Sequence, residues 1–280
     1  MTDPVSVTRA GHRTFLKWHR ARRRASDPVF TGARIIEAMR LGASVEVDLV
    51  VTGDGNFAVL HDTTLDRETT GRGPVAATSD AAIRRLRLRD NDGAPTDNPV
   101  MLLDDLGALL ATAAVHPDAL LQLDYKEDET ALDDRALMRF ARATTPFARN
   151  MIVSSGSATA VRMLTGAVPG LRSGYDPSDE DRFRSALASG RLQHFVDDAL
   201  AAAPDAELIY LYWEIVTGAA DAGFDIVAAF HERGKRIDAW TIRSVDAASL
   251  AVVDRLLALR VDQLTTDDPE GLAAALGVPA

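Results

Sequence analysis

The feature that most constrains the fold is a regular alternation of short apolar segments with longer amphipathic ones along the 280 residues. Short runs rich in β-branched and aliphatic residues are typical of buried strands, and a 3.6-residue apolar period indicates a helix. Strands are predicted at 14–18, in the run that begins at Ser44, and at 120–126, 150–154, 170–174, 208–212, 236–241 and 261–265. Helices are predicted between them at 32–41, 80–88, 101–114, 133–143, 159–164, 179–202, 225–233 and 246–259.

Strand–helix alternation predicts parallel strands joined by right-handed crossovers. Eight such units predict an α/β fold, a TIM (β/α)8 barrel formed as a single domain over residues 1–280, and barrels of this kind run to about 250 residues. An open, doubly wound sheet is the alternative. No glycine-rich phosphate loop follows the first strand, which favours the barrel.

Composition excludes several classes of protein. The chain has no cysteine, so it has neither disulfides nor thiolate metal sites, and its net charge of −10 argues against general nucleic-acid binding. No basic N-terminal start leads into an apolar segment, and no run of 18 apolar residues could cross a membrane. We therefore expect a cytoplasmic protein without stable membrane association.

The segment 44–62 places two carboxylates of one strand and a histidine on one predicted hairpin. Glu46 and Asp48 are two residues apart in a β-branched run, so a strand would point both carboxylates the same way. A turn cluster at 53–56 returns the chain to His61 and Asp62. An exposed edge strand could carry the same residues, but a buried carboxylate pair requires a cation to offset its repulsion.

Other polar residues follow predicted strands at their carboxyl ends. His19 and Arg20 come after the first strand, Asp124 and Lys126 end the third, and Trp240 lies near the end of the seventh. Any one of these could be a surface ion pair or a packing residue. Because barrel active sites lie at the carboxyl ends of the strands, their common position predicts a functional site.

The order of these residues resembles the glycerophosphodiester phosphodiesterase family. The segments that carry the resemblance are His19-Arg20-Ala21, Gly42-Ala43-Ser44, Glu46-Val47-Asp48, His61-Asp62, Arg67-Glu68-Thr69-Thr70, Asp124-Tyr125-Lys126, Trp240-Thr241-Ile242-Arg243 and Thr266-Asp267-Asp268-Pro269. The resemblance covers nearly the whole chain and implies a TIM barrel that binds a divalent cation and hydrolyses phosphodiesters. Three residues depart from the family pattern: Ala21 replaces Gly, Asp124 replaces Glu, and Arg243 replaces Asn. A Pro-Glu-Asn-Thr element is reduced to Pro28 and Thr31.

The residue types also define the expected chemistry. Hard cations such as Mg²⁺ or Ca²⁺ prefer oxygen ligands, and cationic side chains bind phosphoryl oxygens. Histidine suits acid–base catalysis near neutral pH. The predicted metal ligands are Glu46, Asp48 and Asp124; the phosphate and substrate contacts are Arg20, Lys126 and Trp240; the acid and base are His19 and His61, in an order that stays open. The nucleophile is either a glycerol hydroxyl or water.

The expected function is metal-dependent hydrolysis of glycerophosphodiesters to sn-glycerol 3-phosphate and an alcohol. The alternatives are a lysophospholipase D-like enzyme on the same barrel and a catalytically silent barrel that binds a phosphorylated ligand. Polar loops at 22–24, 63–73 and 178–181 favour a small water-soluble substrate. His12 precedes its strand and is not expected to be catalytic, and His116, His194 and His231 are expected to be solvated.

Overall fold

A computed structural model of the chain describes residues 5–278. The strands are β1 (Ser6–Arg9), β2 (His12–Trp18), β3 (Ser44–Val51), β4 (Phe57–Val59), β5 (Arg87–Arg89), β6 (Pro95–Pro99), β7 (Leu120–Tyr125), β8 (Met151–Ser154), β9 (Arg172–Tyr175), β10 (Leu208–Tyr212), β11 (Arg236–Ile242) and β12 (Gln263–Thr266). The helices are α1 (Gly32–Leu41), α2 (Asp80–Ile83), α3 (Leu103–Leu110), α4 (Asp134–Thr144), α5 (Ala158–Gly166), α6 (Glu180–Ala188), α7 (Leu192–Ala202), α8 (Trp213–Asp221), α9 (Ile226–His231), α10 (Ala247–Ala258) and α11 (Pro269–Ala275).

Eight parallel strands form a closed barrel, in the order β2, β3, β7, β8, β9, β10, β11, β12. The barrel closes where β2 pairs with β3, with Trp18 opposite Val45, and where β12 pairs with β2. β1 and β4 add antiparallel strands to β2 and β3, and β5 and β6 form a separate hairpin. The predicted TIM barrel is confirmed, and the eight barrel strands coincide with the eight predicted ones within a few residues. The predicted domain extent of 1–280 includes residues 1–4 and 279–280, which lie outside the described residues.

α1 illustrates how the sequence determines an element. Ile35, Ile36 and Met39 form its buried stripe, and the chain then leaves the helix at Gly42, whose φ of 78° lies in the left-handed region. β3 follows immediately and is buried at all of its positions. The prediction for 32–41 is therefore confirmed at both ends.

Several local predictions were wrong or incomplete. The helix predicted over 80–88 ends at Ile83, because the backbone of 87–89 pairs with the loop at 68–70, where Thr70 N donates to Arg87 O over 2.9 Å. The helix predicted over 179–202 divides into α6 and α7 around Gly190, which has a φ of 65°. α8 was not predicted, because it starts directly at the end of β10 without a polar cap.

Hydrophobic packing lies mostly outside the barrel, between its strands and the surrounding helices. The floor of the interior is apolar and contains Leu120, Ile152 and Leu208, with Tyr210 above them. Higher in the interior, buried polar side chains replace this packing: Lys17, Glu46, Asp48, Gln122, Ser154, Asp238, Gln263 and Thr265. The polar half of the barrel interior is therefore the half nearest the carboxyl ends of the strands. Within residues 5–278 we find no helix of the length and apolarity that a membrane span requires.

Candidate active site

Three carboxylates meet at the carboxyl ends of β3 and β7. The two strands are in parallel register, with Asp48 opposite Asp124 and Glu46 opposite Gln122. The carboxylate oxygens of Glu46, Asp48 and Asp124 lie within 4.8 Å of one another. Glu46 and Asp48 are buried, and Asp124 is partly exposed towards the cavity. The structure thus brings together the three carboxylates that the sequence predicted as one group.

Two cationic side chains partly neutralise this cluster. Lys126 Nζ lies 2.8 Å from Asp48 Oδ1 and also donates to Asp124, and Arg20 Nε lies 3.3 Å from Asp48 Oδ2. Burial favours a neutral Asp48, but Lys126 and Arg20 outweigh it and hold the pKa of Asp48 well below its ordinary value. Burial, together with the charge of Asp48, raises the pKa of Glu46. Two cationic side chains face three carboxylates, so one proton or one further positive charge is needed to neutralise the cluster.

The donor set fits a divalent cation. Neither carboxylate oxygen of the fully buried Asp48 has a well-directed hydrogen bond from the described residues, although two cations are near it. Buried polar atoms are rarely left without a partner. Glu46 keeps one oxygen occupied by the backbone N–H of Arg20, at 2.6 Å. Three converging carboxylates with free lone pairs are a suitable oxygen ligand set for Mg²⁺ or Ca²⁺.

The backbone at 20–21 explains how Arg20 reaches the cluster. Arg20 has a φ of 53° and Ala21 a φ of 57°, both in the left-handed region. This turn directs the N–H of Arg20 to Glu46 and its guanidinium to Asp48. Ala21, which is fully buried, adopts a conformation that favours glycine. The departure at Ala21 from the family pattern therefore leaves the turn in place.

His19 forms a pair with a carboxylate from the last barrel strand's end. Its Nδ1 is hydrogen-bonded to Asp267, which also binds the guanidinium of Arg22. Burial lowers the pKa of His19 below its ordinary value of 6.5, and the contact with Asp267 opposes part of that shift. Burial also disfavours charge on Asp267, yet its bonds to His19 and Arg22 keep the pKa of Asp267 below its ordinary value. A carboxylate on Nδ1 holds the imidazole in one orientation and leaves Nε2 free.

His61 forms a second pair of the same kind. Its Nδ1 lies 2.9 Å from Asp62 Oδ1, and Arg67 Nε donates to Asp62 Oδ2 over 2.6 Å. The bond from Arg67 lowers the pKa of Asp62 to about 2. The backbone N–H groups of His61 and Asp62 both donate to the buried Glu68, at 2.9 and 3.0 Å. Asp62, Asp267 and Glu68 lie in segments that carry the family resemblance, but the sequence alone assigned a role to none of them.

A cavity of about 170 Å³ opens between these groups. All the predicted site residues except Asp48 line it, and Asp48 is the fully buried member of the carboxylate cluster. The lining residues are Lys17, His19, Arg20, Glu46, His61, Gln122, Asp124, Lys126, Asp176, Tyr210, Trp240, Thr241, Arg243 and Thr265.

Three lining residues have properties that the sequence did not reveal. Tyr210 is almost fully buried, and its hydroxyl has no hydrogen-bond partner in the described part of the chain; the same is true of the Trp240 indole N–H. Burial raises the pKa of Asp176 to about 7. Asp176 follows β9 directly, so its place at a strand end was a signal that could have identified it.

The remaining histidines lie away from the cavity. His12 is at the start of β2, at the opposite end of the barrel, where its Nε2 is 3.2 Å from Val261 O and 3.6 Å from Asp262. His231 is not merely solvated, because its Nε2 lies 2.8 Å from the same Asp262 carboxylate. His116 and His194 are exposed, as expected.

The arginine run at 22–24 is not an open basic patch. Arg22 binds Asp267, Arg23 bonds to Glu37 and Glu270, and Arg24 also bonds to Glu270. The run therefore ties the loop after β2 to α1 and α11. These arginines therefore hold the loop in place through ion pairs.

The fold and site define a class: a TIM barrel whose carboxyl-terminal face carries an acidic cluster between two histidine–aspartate pairs. Residues 30–271 match the model of the glycerophosphoryl diester phosphodiesterase family. The chain belongs to that family.

Curated and solved relatives agree with this assignment. The chain is 36% identical over 108 residues to the protein named probable glycerophosphodiester phosphodiesterase 1 of Mycobacterium tuberculosis, a match that covers 36% of this chain and only 39% of the relative's length. The structure of a glycerophosphodiester phosphodiesterase from Agrobacterium tumefaciens aligns with a TM-score of 0.63 at 23% identity, covering 94% of this chain and 99% of that one. A phosphodiesterase from Oleispira antarctica, solved in complex with the product sn-glycerol-3-phosphate, aligns with a TM-score of 0.67 at 18% identity, covering 94% and 96%. At these identities the structural likeness bears on the fold alone.

Proposed function

We propose that the protein hydrolyses glycerophosphodiesters to sn-glycerol 3-phosphate and an alcohol, with a divalent cation held by Glu46, Asp48 and Asp124. The observation that carries the proposal is that this carboxylate cluster and two histidine–aspartate pairs surround one cavity at the carboxyl end of the barrel. Membership of the family supports it. The product bound in the Oleispira antarctica structure supports the same choice of substrate.

The cation would be Mg²⁺ or Ca²⁺, and when bound it would polarise the phosphoryl group and acidify the attacking hydroxyl or water. Arg20 and Lys126 would bind the remaining phosphoryl oxygens and offset the charge that develops on them. Both already lie at the carboxylate cluster, which supports this role. Trp240 would form the wall against the organic part of the substrate, with its indole N–H available as a donor.

His19 and His61 would exchange protons with the substrate. In each, Nδ1 is held by an aspartate, so Nε2 is the nitrogen left to act. One imidazole would accept the proton of the nucleophile, and the other would protonate the leaving alcohol. The stronger burial of His19 favours its neutral form at pH 7, which suits the base. The assignment of base to His19 and acid to His61 is part of the proposal.

A water-soluble substrate is favoured by the surface near the cavity. In the part of the chain that the structure describes, the large hydrophobic side chains that are exposed are Met138 on α4 and Leu187 on α6. Neither lines the cavity. A lipid-directed enzyme needs an apolar surface that meets the bilayer. Cytoplasmic location, lack of stable membrane association and a single domain over 1–280 stay predictions from the sequence.

The experiment compares kcat/KM for glycerophosphocholine with that for lysophosphatidylcholine below its micelle threshold. It measures the choline that both reactions release, and confirms sn-glycerol 3-phosphate as the second product from glycerophosphocholine. We expect turnover of glycerophosphocholine and a clear preference for it. A preference for the lysophospholipid would promote the lysophospholipase D-like alternative. No turnover of either substrate, or of a generic aryl phosphodiester, would instead favour a barrel that only binds phosphorylated ligands.

A further inference from the structure

A line of buried polar side chains crosses the barrel interior beneath Asp124. Lys17 on β2 pairs with Asp238 on β11 at 2.9 Å and also bonds to the side-chain oxygen of Gln122. Gln122 Nε2 lies 2.8 Å from Ser154 Oγ, and Ser154 Oγ lies 2.6 Å from Asp124 Oδ1. The chain of contacts thus runs from a buried ion pair to a candidate metal ligand.

The direction of each hydrogen bond follows from the chemistry of the groups. Lys17 can only donate, so the amide oxygen of Gln122 must face it and the amide nitrogen must face Ser154. Ser154 therefore accepts from Gln122, and its own O–H is left to donate to the carboxylate of Asp124. Asp238 holds Lys17 in place and accepts further bonds from Gln263 and Thr265. Along the chain from Lys17 through Gln122 to Ser154, each group donates in the direction of Asp124.

Both oxygens of Asp124 are consequently tethered. Ser154 holds Oδ1 and Lys126 holds Oδ2, so the plane of the carboxylate is fixed before any ligand binds. Ser154 is fully buried and Gln122 nearly so, which keeps water from replacing either bond. Partners of this kind orient metal ligands, and their loss typically weakens metal binding about 10- to 100-fold.

We propose that Ser154 and Gln122 are positioning residues for Asp124, acting through this one directed chain of hydrogen bonds. Their effect is to present the Asp124 carboxylate to the cation in a single orientation. The inference rests on the proposed function, because it takes Asp124 to be a metal ligand. On this proposal, the polar side chains of the barrel interior orient one another. The pair of Lys17 and Asp238 fixes the amide of Gln122, and Gln122 fixes the hydroxyl of Ser154.

The test measures Mn²⁺ binding directly by electron paramagnetic resonance, with thermal unfolding and kcat/KM recorded on the same samples. Ser154→Ala should raise the Kd for Mn²⁺ about 10-fold or more, and Gln122→Met should raise it by a smaller factor. Because both residues act through one chain, the double variant should bind Mn²⁺ no more weakly than Ser154→Ala alone. The matched control is Thr14→Val, which removes a buried hydroxyl bonded to Val261 O at 2.7 Å at the other end of the barrel. It should leave the Kd unchanged.

Wild-type Mn²⁺ affinity in a folded Ser154→Ala variant would overturn the inference while leaving the proposed function intact. If the two losses of Mn²⁺ affinity multiply in the double variant, Gln122 and Ser154 act independently. That result would overturn the proposal that they act through one chain of hydrogen bonds. If Ser154→Ala does not fold, Gln122→Met alone decides, and an unchanged Kd again overturns the inference. Failure of the wild-type protein itself to bind Mn²⁺ or to hydrolyse the diester would remove the proposed function and the inference together.

Discussion

His19 at the end of the first barrel strand is hydrogen-bonded to Asp267 at the end of the last one, although 248 residues separate them. Closure of the barrel makes this contact, because β12 pairs with β2 and places Thr266 opposite Trp18. The residues that follow these two positions are then neighbours. The imidazole of His19 thus gains its carboxylate partner only when the barrel closes.

The first prediction concerns the two histidines that line the cavity. His19→Ala and His61→Ala should each lower kcat by about two to four orders of magnitude, the usual span for acid–base groups. Both side chains are at strand ends rather than in the hydrophobic clusters, so the thermal midpoint should change little. Steady-state kinetics on glycerophosphocholine measures the effect.

His12→Ala is the matched control for these variants. His12 lies at the opposite end of the barrel, bonded to the carbonyl of Val261, and should leave kcat nearly unchanged. If His12→Ala abolished turnover while His19→Ala did not, the active site would lie at the end of the barrel that carries His12, and the site assigned here would be wrong.

Asp267→Asn should change the pH profile as well as the rate. Asp267 raises the pKa of His19, while burial lowers it. Removing the negative charge therefore lowers that pKa further, and the limb of kcat/KM that His19 controls should move to lower pH. The plateau of kcat/KM should also fall, by up to about 10⁴-fold, because the imidazole loses the partner that sets its tautomer. An unmoved limb in the variant would show that His19 does not control the profile.

Ala21 offers a prediction about stability. Ala21 is fully buried and has a φ of 57°, and β-branched residues are strongly disfavoured in the left-handed region. Ala21→Val should lower the free energy of unfolding by roughly 2 kcal/mol or more. Ala21→Gly, which relieves backbone strain but loses a buried methyl, should stay within about 1 kcal/mol of wild type. Denaturant unfolding measures both, and equal stability of the two variants would contradict this reading of the turn.

The fold could be predicted because strand periodicity repeats eight times with helical periodicity between the strands, and a local error in one unit does not change the count. The errors fell where tertiary contacts override local preference. Residues 87–89 have helix-compatible composition, but backbone pairing with the loop at 68–70 draws them into a hairpin. Gly190 interrupts a periodic segment that otherwise continues through 202.

The part of the site that could be predicted consists of residues whose position follows from their own strand. Glu46, Asp48 and Asp124 share a side of adjacent strands, and this follows from alternation along each strand. The partners of the histidines could not be assigned in the same way, because Asp267 meets His19 only through barrel closure. Alternation places Gln122 on the same face of its strand as Asp124, but neither Gln122 nor Ser154 could be given a role, since serine and glutamine in apolar strands are compatible with many environments. Their role depends on the neighbours that the register gives them.

The central claim is that the carboxylate cluster works with a divalent cation, and metal removal tests it most directly. Activity on glycerophosphocholine should be lost after treatment with EDTA and dialysis, and Mg²⁺, Mn²⁺ or Ca²⁺ should restore it. In Asp48→Asn, which removes the charge of a fully buried predicted metal ligand, activity should not return at the metal concentration that restores the wild-type protein. Full activity in chelator, with metal removal verified by elemental analysis, would contradict the account.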